Sequence, residues 1–131
     1  CPLERVDEVG VGRTCANYLT ACDAQRTDDH WARVKGFDTS CPIGPWIETD
    51  LDTDNLSIKA YLDGDLVQDG NTSDMIWGVR ELVSYVSQAF TLLPGDIILT
   101  GTPAGVGQIT EGQRIEIQVE GIGTLANIVR G

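Results

Sequence analysis

The chain has only one histidine, His30, among its 131 residues. A metal site with two histidine ligands from one chain is therefore excluded, and no nucleophile elbow is present to complete a catalytic triad with this residue. The four cysteines, Cys1, Cys15, Cys22 and Cys41, form no C-x-x-C pair, which disfavours a zinc ribbon or a thioredoxin-type motif. We expect these thiols to be reduced, as is usual in cytosolic proteins.

Long apolar runs and positive charges are also scarce. No stretch approaches the roughly 20 apolar residues of a membrane-spanning helix, and residues 1–30 lack the basic start and apolar run of a signal peptide. We therefore expect a cytoplasmic protein with no membrane partner. Nine Lys and Arg residues against 20 Asp and Glu give a net charge of −11, which argues against nucleic acid as a partner because phosphates need a basic surface.

The excess of carboxylates has two interpretations. It keeps the protein soluble, or some of the carboxylates form a cation site. The run D-L-D-T-D at residues 50–54 resembles a calcium loop, but it lacks the glycine and the terminal glutamate of an EF-hand. We predict a solvated turn at this position.

Hydrophobic periodicity predicts a β-rich chain with one main helix. An apolar stripe with helical spacing predicts the helix over about residues 78–90, and Asn71 or Ser73 is expected to cap the segment that comes after the second strand of the hairpin. Asp63-Gly64 is the signal for that hairpin, and Gly44-Pro45 is expected to break the chain. Patterns typical of strands lie at residues 14–20, 46–49, 56–62, 65–69, 97–99, 114–120 and 125–129.

The most informative segment is the loop T-G-T-P-A-G-V-G at residues 100–107, which comes directly after the predicted buried strand at 97–99. Glycine lets backbone approach a ligand closely, and threonine adds hydroxyl groups beside free backbone N–H groups. The loop is therefore either a cradle for an anion or a carbonyl group or a tight Gly/Pro turn between strands.

Four ordered motifs resemble the fumarylacetoacetate hydrolase (FAH) family. They cover nearly the whole chain, and together they are specific for the family. They are K-G-F-D-T-S-C-P-I-G-P-W at residues 35–46, Q-D-G-N-T-S-D-M at 68–75, L-P-G-D-I-I-L-T-G-T-P-A-G-V-G at 93–107 and G-I-G-T-L at 121–125.

The resemblance implies a fold, a cofactor and a class of substrate. The fold is α+β and β-rich, a mixed β-sandwich roll, here as a single domain over residues 1–131. The cofactor is Mg²⁺ or Mn²⁺, which polarises the carbonyl of a small keto acid and stabilises the enolate formed when a C–C bond breaks. Bacterial members include acylpyruvate hydrolases, oxaloacetate decarboxylases and isomerases of hydroxy-diacid catabolism, which are commonly cytoplasmic homodimers.

Site residues are carried over by position. Lys35 is similar to the family's lysine beside the metal, where it serves as a catalytic and substrate-binding residue whose charge holds a carboxylate or enolate oxygen. Thr39 corresponds to a threonine of the same metal-side segment, and Gln25 to a polar substrate contact. Thr102 corresponds to a threonine that binds the substrate carboxylate, and Gly101 precedes it in the same loop.

The chain departs from the family pattern at the metal side. The family reads G-Y-T-x-x-N-D-x-T/S-A-R-D before the lysine segment, and here its tyrosine, aspartate and arginine are replaced by Arg13, Tyr18 and Cys22. A neutral phenol is a poor Mg²⁺ ligand, and loss of the arginine removes a planar anion-binding group. Asp23 is the one carboxylate that could substitute in part. We further expect that the chain lacks the family's upstream half, including its E-x-E metal ligands and its histidine–glutamate lid.

These observations lead to two hypotheses for function. The first is an enzyme domain of the FAH family that acts on a keto acid, with metal ligands supplied from elsewhere. The second is a catalytically inactive scaffold or oligomerisation module, either a natural degenerate paralogue or an altered sequence, with an interface around residues 13–34. We favour inactivity for this chain alone. We expect Trp31, Trp46 and Trp77 to be core or interface residues rather than platforms for a cofactor.

Overall fold

Strands pair in two antiparallel sheets within residues 1–10, 12–28 and 30–130, which the computed structural model describes. One sheet has two strands in the order β1-β2, and the other has four in the order β4-β3-β5-β6. The strands are β1 (Arg13–Ala16), β2 (Ile43–Glu48), β3 (Ser57–Leu62), β4 (Asp65–Asn71), β5 (Arg114–Val119) and β6 (Gly123–Ile128), and the helices are α1 (Val6–Val9), α2 (Cys22–Gln25), α3 (Trp31–Lys35) and α4 (Val79–Ala89).

The core lies between the two sheets. Strand β1 contacts β5 and β6, and β2 contacts β6, so the small sheet covers one face of the large one. On that face Ala60, Ile117 and Leu125 lie opposite one another across β3, β5 and β6, and directly opposite residues of paired strands have their side chains on the same face. The predicted β-rich α+β fold is confirmed. The core cluster comprises Cys15, Leu56, Ala60, Ile117, Val119, Ile122 and Leu125.

The predicted helix at residues 78–90 is confirmed as α4. It packs against α1, and its buried residue is Ser84, whose hydroxyl group donates a hydrogen bond to the carbonyl oxygen of Cys1 (2.9 Å). The apolar stripe is only partly covered, since Phe90 is exposed. Asn71 is a cap, as predicted, and the element that it caps is the short 3-10 turn Thr72–Asp74. Its side chain accepts a hydrogen bond from the Ser73 N–H group (2.9 Å). Among the described residues, no helix has both the length and the apolar character needed to cross a membrane.

The prediction of a buried strand at residues 97–99 is wrong. The segment has no strand assignment, and Ile97 and Leu99 are 54% and 39% exposed. A strand forms only where neighbouring backbone pairs with it, and in the described part of the chain no strand is paired with this segment. An apolar run predicts burial but does not identify the neighbour that would provide it.

Two boundaries at the small sheet also differ from expectation. Gly44 and Pro45 were expected to break the chain, but they lie inside β2. Proline is tolerated there because β2 pairs on one side only, with β1. The strand predicted at residues 14–20 ends at Ala16, although Asn17 and Leu19 still donate backbone hydrogen bonds to the segment before β2 (3.1 and 2.8 Å).

The tryptophans are not core residues in this structure. Trp31, Trp46 and Trp77 are each more than half exposed, so the core alternative is wrong and the interface alternative stays a prediction. None of the three indole rings belongs to the core cluster between the two sheets. The aspartates at 50, 52 and 54 are exposed, in agreement with the predicted solvated turn.

The cysteines provide a test of the core. All four thiols are free, with Cys15 buried and Cys22 exposed, and burial raises the pKa of Cys15. We expect iodoacetamide to alkylate Cys22 in the folded protein and to leave Cys15 unmodified until the chain is unfolded in urea, because the thiolate is the reacting form. Peptide mass mapping after each treatment measures this. Equal labelling of both residues under native conditions would contradict the core described above.

Candidate functional site

A cleft of about 370 Å³ lies between the loop at residues 100–103 and the segment from the end of β4 to the start of α4. This volume is in the range of small-molecule sites. The predicted substrate contacts Gly101 and Thr102 both line it, and so do Ile58 and Trp77. The lining residues are Ile58, Gly70, Asn71, Thr72, Asp74, Met75, Ile76, Trp77, Leu82, Thr100, Gly101, Thr102 and Pro103.

The loop is held against β4 by close backbone approach. The Gln68 side-chain amide donates a hydrogen bond to the Pro103 carbonyl oxygen (3.2 Å). A Cβ atom at Gly70 would lie 2.8 Å from the Pro103 Cβ atom, and one at Gly105 would collide with the Val67 carbonyl oxygen. Glycine at both positions is therefore what lets the loop lie alongside the strand.

The chemistry of the cleft suits an anion with an apolar part. Thr102 and Asn71 offer a hydroxyl group and an amide group, and the neighbouring Gly101 has φ +130 with no atom within 4 Å of a built Cβ. Ile58 and Trp77 supply apolar surface. Asp74 is an exposed carboxylate at the rim, and it opposes an anion only weakly because water screens it.

Lys35 and Tyr18 lie together, and neither is among the residues that line the cleft. The Lys35 Nζ atom is 4.6 Å from the centroid of the Tyr18 ring and 5.7 Å from that of Trp31. Trp31 and Lys35 are the two ends of α3, four residues apart and therefore on the same face. The two predicted groups of site residues, Lys35 with Tyr18 and Gly101 with Thr102, thus occupy two places.

Gln25 and Thr39 are exposed, Gln25 at the end of α2 and Thr39 in the turn after α3 with φ 65. Their assigned roles stay predictions. The donors at the metal side, the Tyr18 phenol and the Thr39 hydroxyl, carry no charge, and Mg²⁺ and Mn²⁺ prefer carboxylate oxygens. No group of three or more His, Cys, Asp or Glu side chains in the described part of the chain is arranged to hold a metal ion. The residues present therefore do not fit the divalent cation that the resemblance implies.

An acidic residue, Asp28, anchors the start of α3, the helix that ends at Lys35. Asp28 Oδ1 accepts a hydrogen bond from the His30 backbone N–H group (2.9 Å) and lies 2.9 Å from the His30 Nδ1 atom. Asp28 Oδ2 pairs with the Arg33 guanidinium group (3.1 Å). These contacts lower the pKa of Asp28, the backbone N–H of His30 having the largest effect.

The pKa of Asp28 can be tested directly. We expect carbon-13 titration of the side-chain carboxyl group to give a pKa below that of a free aspartate. Since the folded-state pKa is lowered, the stabilisation by this carboxylate is present above the unfolded-state pKa and is lost as pH falls through the folded-state value. His30→Ala should raise the pKa only in part, because the backbone donor remains. If the pKa of Asp28 in the parent protein equals that of a free aspartate, the contacts that anchor the start of α3 are contradicted.

Several lining residues were not predicted from the sequence to be ligand contacts. Asn71, Thr72 and Trp77 belong to or come just after the motif at residues 68–75, which supported only the resemblance. Gly70 was the available signal, since a glycine inside a strand marks a place where another backbone comes close. Two buried polar atoms, Thr14 Oγ1 and Asn17 Nδ2, have no hydrogen-bond partner among the described residues, and no motif pointed to them.

Comparison with known proteins places these features in a family. A family model described as fumarylacetoacetate (FAA) hydrolase C-terminal matches residues 3–130. The Mycobacterium tuberculosis protein Rv2993c is 48% identical over 129 residues, which are 96% of this chain and 48% of that protein. The chain spans about half the length of the curated relatives it matches most strongly.

Solved structures share the fold over roughly half of their own chains. A 5-carboxymethyl-2-hydroxymuconate delta-isomerase from Mycobacterium smegmatis has 47% identity and a TM-score of 0.96, covering 100% of this chain and 53% of that one. A fumarylpyruvate hydrolase from Pseudomonas aeruginosa, in complex with Mn²⁺ and pyruvate, has 33% identity and a TM-score of 0.86, covering 96% of this chain and 57% of that one. Isomerases and hydrolases of keto acids therefore share this domain.

Proposed function

This chain belongs to the fumarylacetoacetate hydrolase family, and on that basis we propose that it binds the carboxylate of a small keto acid in the cleft beside Thr102. The reaction to which the cleft contributes is cleavage of a C–C bond in a keto acid of the acylpyruvate, oxaloacetate or fumarylpyruvate type. We propose that the chain alone binds such acids without turning them over.

The observation that carries this proposal is the arrangement of the loop against β4. The close approach at Gly70 and Gly105 holds residues 100–103 at the mouth of the cleft. Thr102 and Asn71 both line this cleft, so a hydroxyl group and an amide group belong to its walls. A carboxylate is the anion that hydroxyl, amide and backbone N–H donors bind well together, and the apolar side chains of the cleft accept the acyl part of the acid.

The residues that the resemblance places beside the metal support the proposal that the chain alone is inactive. Mg²⁺ or Mn²⁺ supplies Lewis-acid polarisation of a carbonyl group where it is bound, but Tyr18 and Thr39 provide no carboxylate for it. If the reaction uses a divalent cation, its carboxylate ligands come from another polypeptide segment. The role left to the described residues is to bind and orient the acid.

Pyruvate is the probe for the cleft. In nitrogen-15 correlation spectra we expect added pyruvate to shift the Thr102 amide signal and the Trp77 indole signal. Thr102→Val should weaken binding about tenfold, the effect of losing a hydrogen bond to a charged group, whereas the exposed Thr49→Val, outside the cleft, should leave it unchanged. Asp74→Asn should strengthen binding slightly. If pyruvate binds the Thr102→Val variant as tightly as it binds the parent protein, the proposed site is contradicted.

Turnover assays test the other half of the proposal. With oxaloacetate or an acylpyruvate and added Mg²⁺ or Mn²⁺, we expect no product from the chain alone. Metal-dependent turnover that Lys35→Ala abolishes would show instead that the chain is an active enzyme.

A scaffold role is the second candidate, and the exposed apolar surface favours it. Trp31 is exposed within the interface predicted around residues 13–34, and Ile76, Tyr85 and Phe90 are exposed near α4. Large exposed apolar patches mark association surfaces. Sedimentation velocity measures this, and a single monomeric species over a wide concentration range would rule out self-assembly.

A further inference from the structure

The cleft is apolar apart from a few polar groups, and its charge is negative. Asp74 is its charged side chain, and none of the described residues that line the cleft is a lysine, an arginine or a histidine. Thr102 and Asn71 are neutral donors for one carboxylate, and no cation is present for a second one. The apolar side chains of the lining belong to Ile58, Met75, Ile76, Trp77, Leu82 and Pro103.

The two basic residues nearest to the lining residues in the sequence are both directed elsewhere. Lys59 comes directly after Ile58 on β3, so its side chain lies on the opposite face of the sheet. Arg80, on α4, pairs with the Asp7 carboxylate (2.8 Å) and donates to the Leu3 carbonyl oxygen (3.3 Å). The cleft therefore lacks positive charge because of how both residues are placed, and not only because the chain is acidic.

The exposed apolar side chains give the cleft a surface that a chain of methylene groups can cover. Ile76 and Trp77 are exposed, and Ile58 and Met75 are half-buried. Each methylene group that is buried on such a surface tightens binding about fourfold. A carboxylate at the same place would lose water without gaining a partner, and Asp74 would repel it.

We infer that the cleft selects keto acids that have a single carboxylate and an apolar acyl chain, and that it discriminates against dicarboxylates. The inference rests on the proposed function, in which the keto-acid end is bound beside Thr102. An acylpyruvate with an apolar acyl chain fits this cleft. Oxaloacetate and fumarylpyruvate carry a second carboxylate, which would have no cationic partner among the lining residues.

A matched pair of acids tests this selectivity. 2-Oxohexanoate and 2-oxohexanedioate share a six-carbon chain and a keto-acid end, and only the second has a carboxylate at its far end. We expect 2-oxohexanoate to bind about tenfold more tightly than pyruvate, because it adds methylene groups that the cleft can bury. We expect 2-oxohexanedioate to bind about tenfold more weakly than 2-oxohexanoate. Nitrogen-15 titrations followed at the Thr102 amide and the Trp77 indole give the three dissociation constants.

Ile76→Lys supplies the missing cation at an exposed position of the lining. In this variant we expect 2-oxohexanedioate to bind at least as tightly as 2-oxohexanoate, because the ammonium group pairs with the far carboxylate. Phe90→Lys is the matched control, since it makes the same change of charge at an exposed apolar residue outside the lining, and it should keep the preference of the parent protein. Asp74→Asn should tighten binding of the dicarboxylate about twofold. Amide spectra establish that each variant is folded.

The outcomes distinguish this inference from the proposed function. If the acids shift the Thr102 amide but the parent protein binds 2-oxohexanedioate as tightly as 2-oxohexanoate, the selectivity is wrong and the proposed function stands. An Ile76→Lys variant that keeps the parent preference would also overturn the inference, because charge in the cleft would then not set the selectivity. If none of the three acids shifts the Thr102 amide, the proposed function fails and the inference fails with it.

Discussion

Ile122→Ala is expected to lower the free energy of unfolding by about 2–4 kcal/mol, as large-to-small changes in a core do. Ile122 is 2% exposed, and it belongs to the core cluster that includes Cys15 and Leu125. It lies in the turn between β5 and β6, where its N–H group donates to the Val119 carbonyl oxygen (3.1 Å). A loss of this size is a large part of the roughly 5–15 kcal/mol that stabilises a typical domain.

Ile76→Ala is the matched control, because it removes the same atoms from a side chain that is 91% exposed. We expect its unfolding free energy to stay within about 0.5 kcal/mol of the parent value. Urea unfolding followed by circular dichroism measures both variants, with the slope against urea used to check that the transition keeps two states. Equal losses in the two variants would show that Ile122 is not in the core.

The regular elements could be predicted because their patterns are local. Strand β5 alternates apolar and polar residues over its whole length, and α4 repeats apolar residues with helical spacing, so each pattern fixes an element without knowledge of its neighbours. The Asp63-Gly64 hairpin was predicted for the same reason and joins β3 to β4. Ile122 is different: it lies between two predicted strands, and its burial comes from its packing in the core cluster, which no local pattern shows.

The candidate site could be predicted only in part. The motif at residues 100–107 identified Thr102, but the partners of the loop are on β4, and nothing local in the sequence joins residues more than about 30 positions apart. The contact between Lys35 and Tyr18 likewise depends on how α3 lies against the segment that follows β1, where the Ala21 N–H group donates to the Val34 carbonyl oxygen (2.9 Å). The strand prediction for residues 97–99 was wrong because the apolar pattern is local, whereas a strand also needs a partner. No described strand pairs with this segment.

Gly105→Ala is expected to displace the loop at residues 100–107 from β4 and to weaken pyruvate binding by about tenfold or more. A Cβ atom at this position would collide with the Val67 carbonyl oxygen, and the backbone has φ +100, a conformation that alanine adopts at a cost of about 1–3 kcal/mol. Because backbone atoms cannot move aside as a flexible side chain can, the loop itself has to shift, and Thr102 shifts with it.

Gly107→Ala is the control in the same loop, since a Cβ atom there would have no neighbour within 4 Å and the backbone is not in the left-handed region. We expect this variant to bind pyruvate like the parent protein. Gly101→Ala distinguishes backbone strain from steric collision, because Gly101 has φ +130 but open space around its Cβ position. We expect this variant to be less stable than the parent protein but to keep the contact between the loop and β4. If Gly105→Ala and Gly107→Ala bind pyruvate equally well, the close approach of the loop to β4 is not what forms the cleft, and the role proposed for Thr102 loses its structural basis.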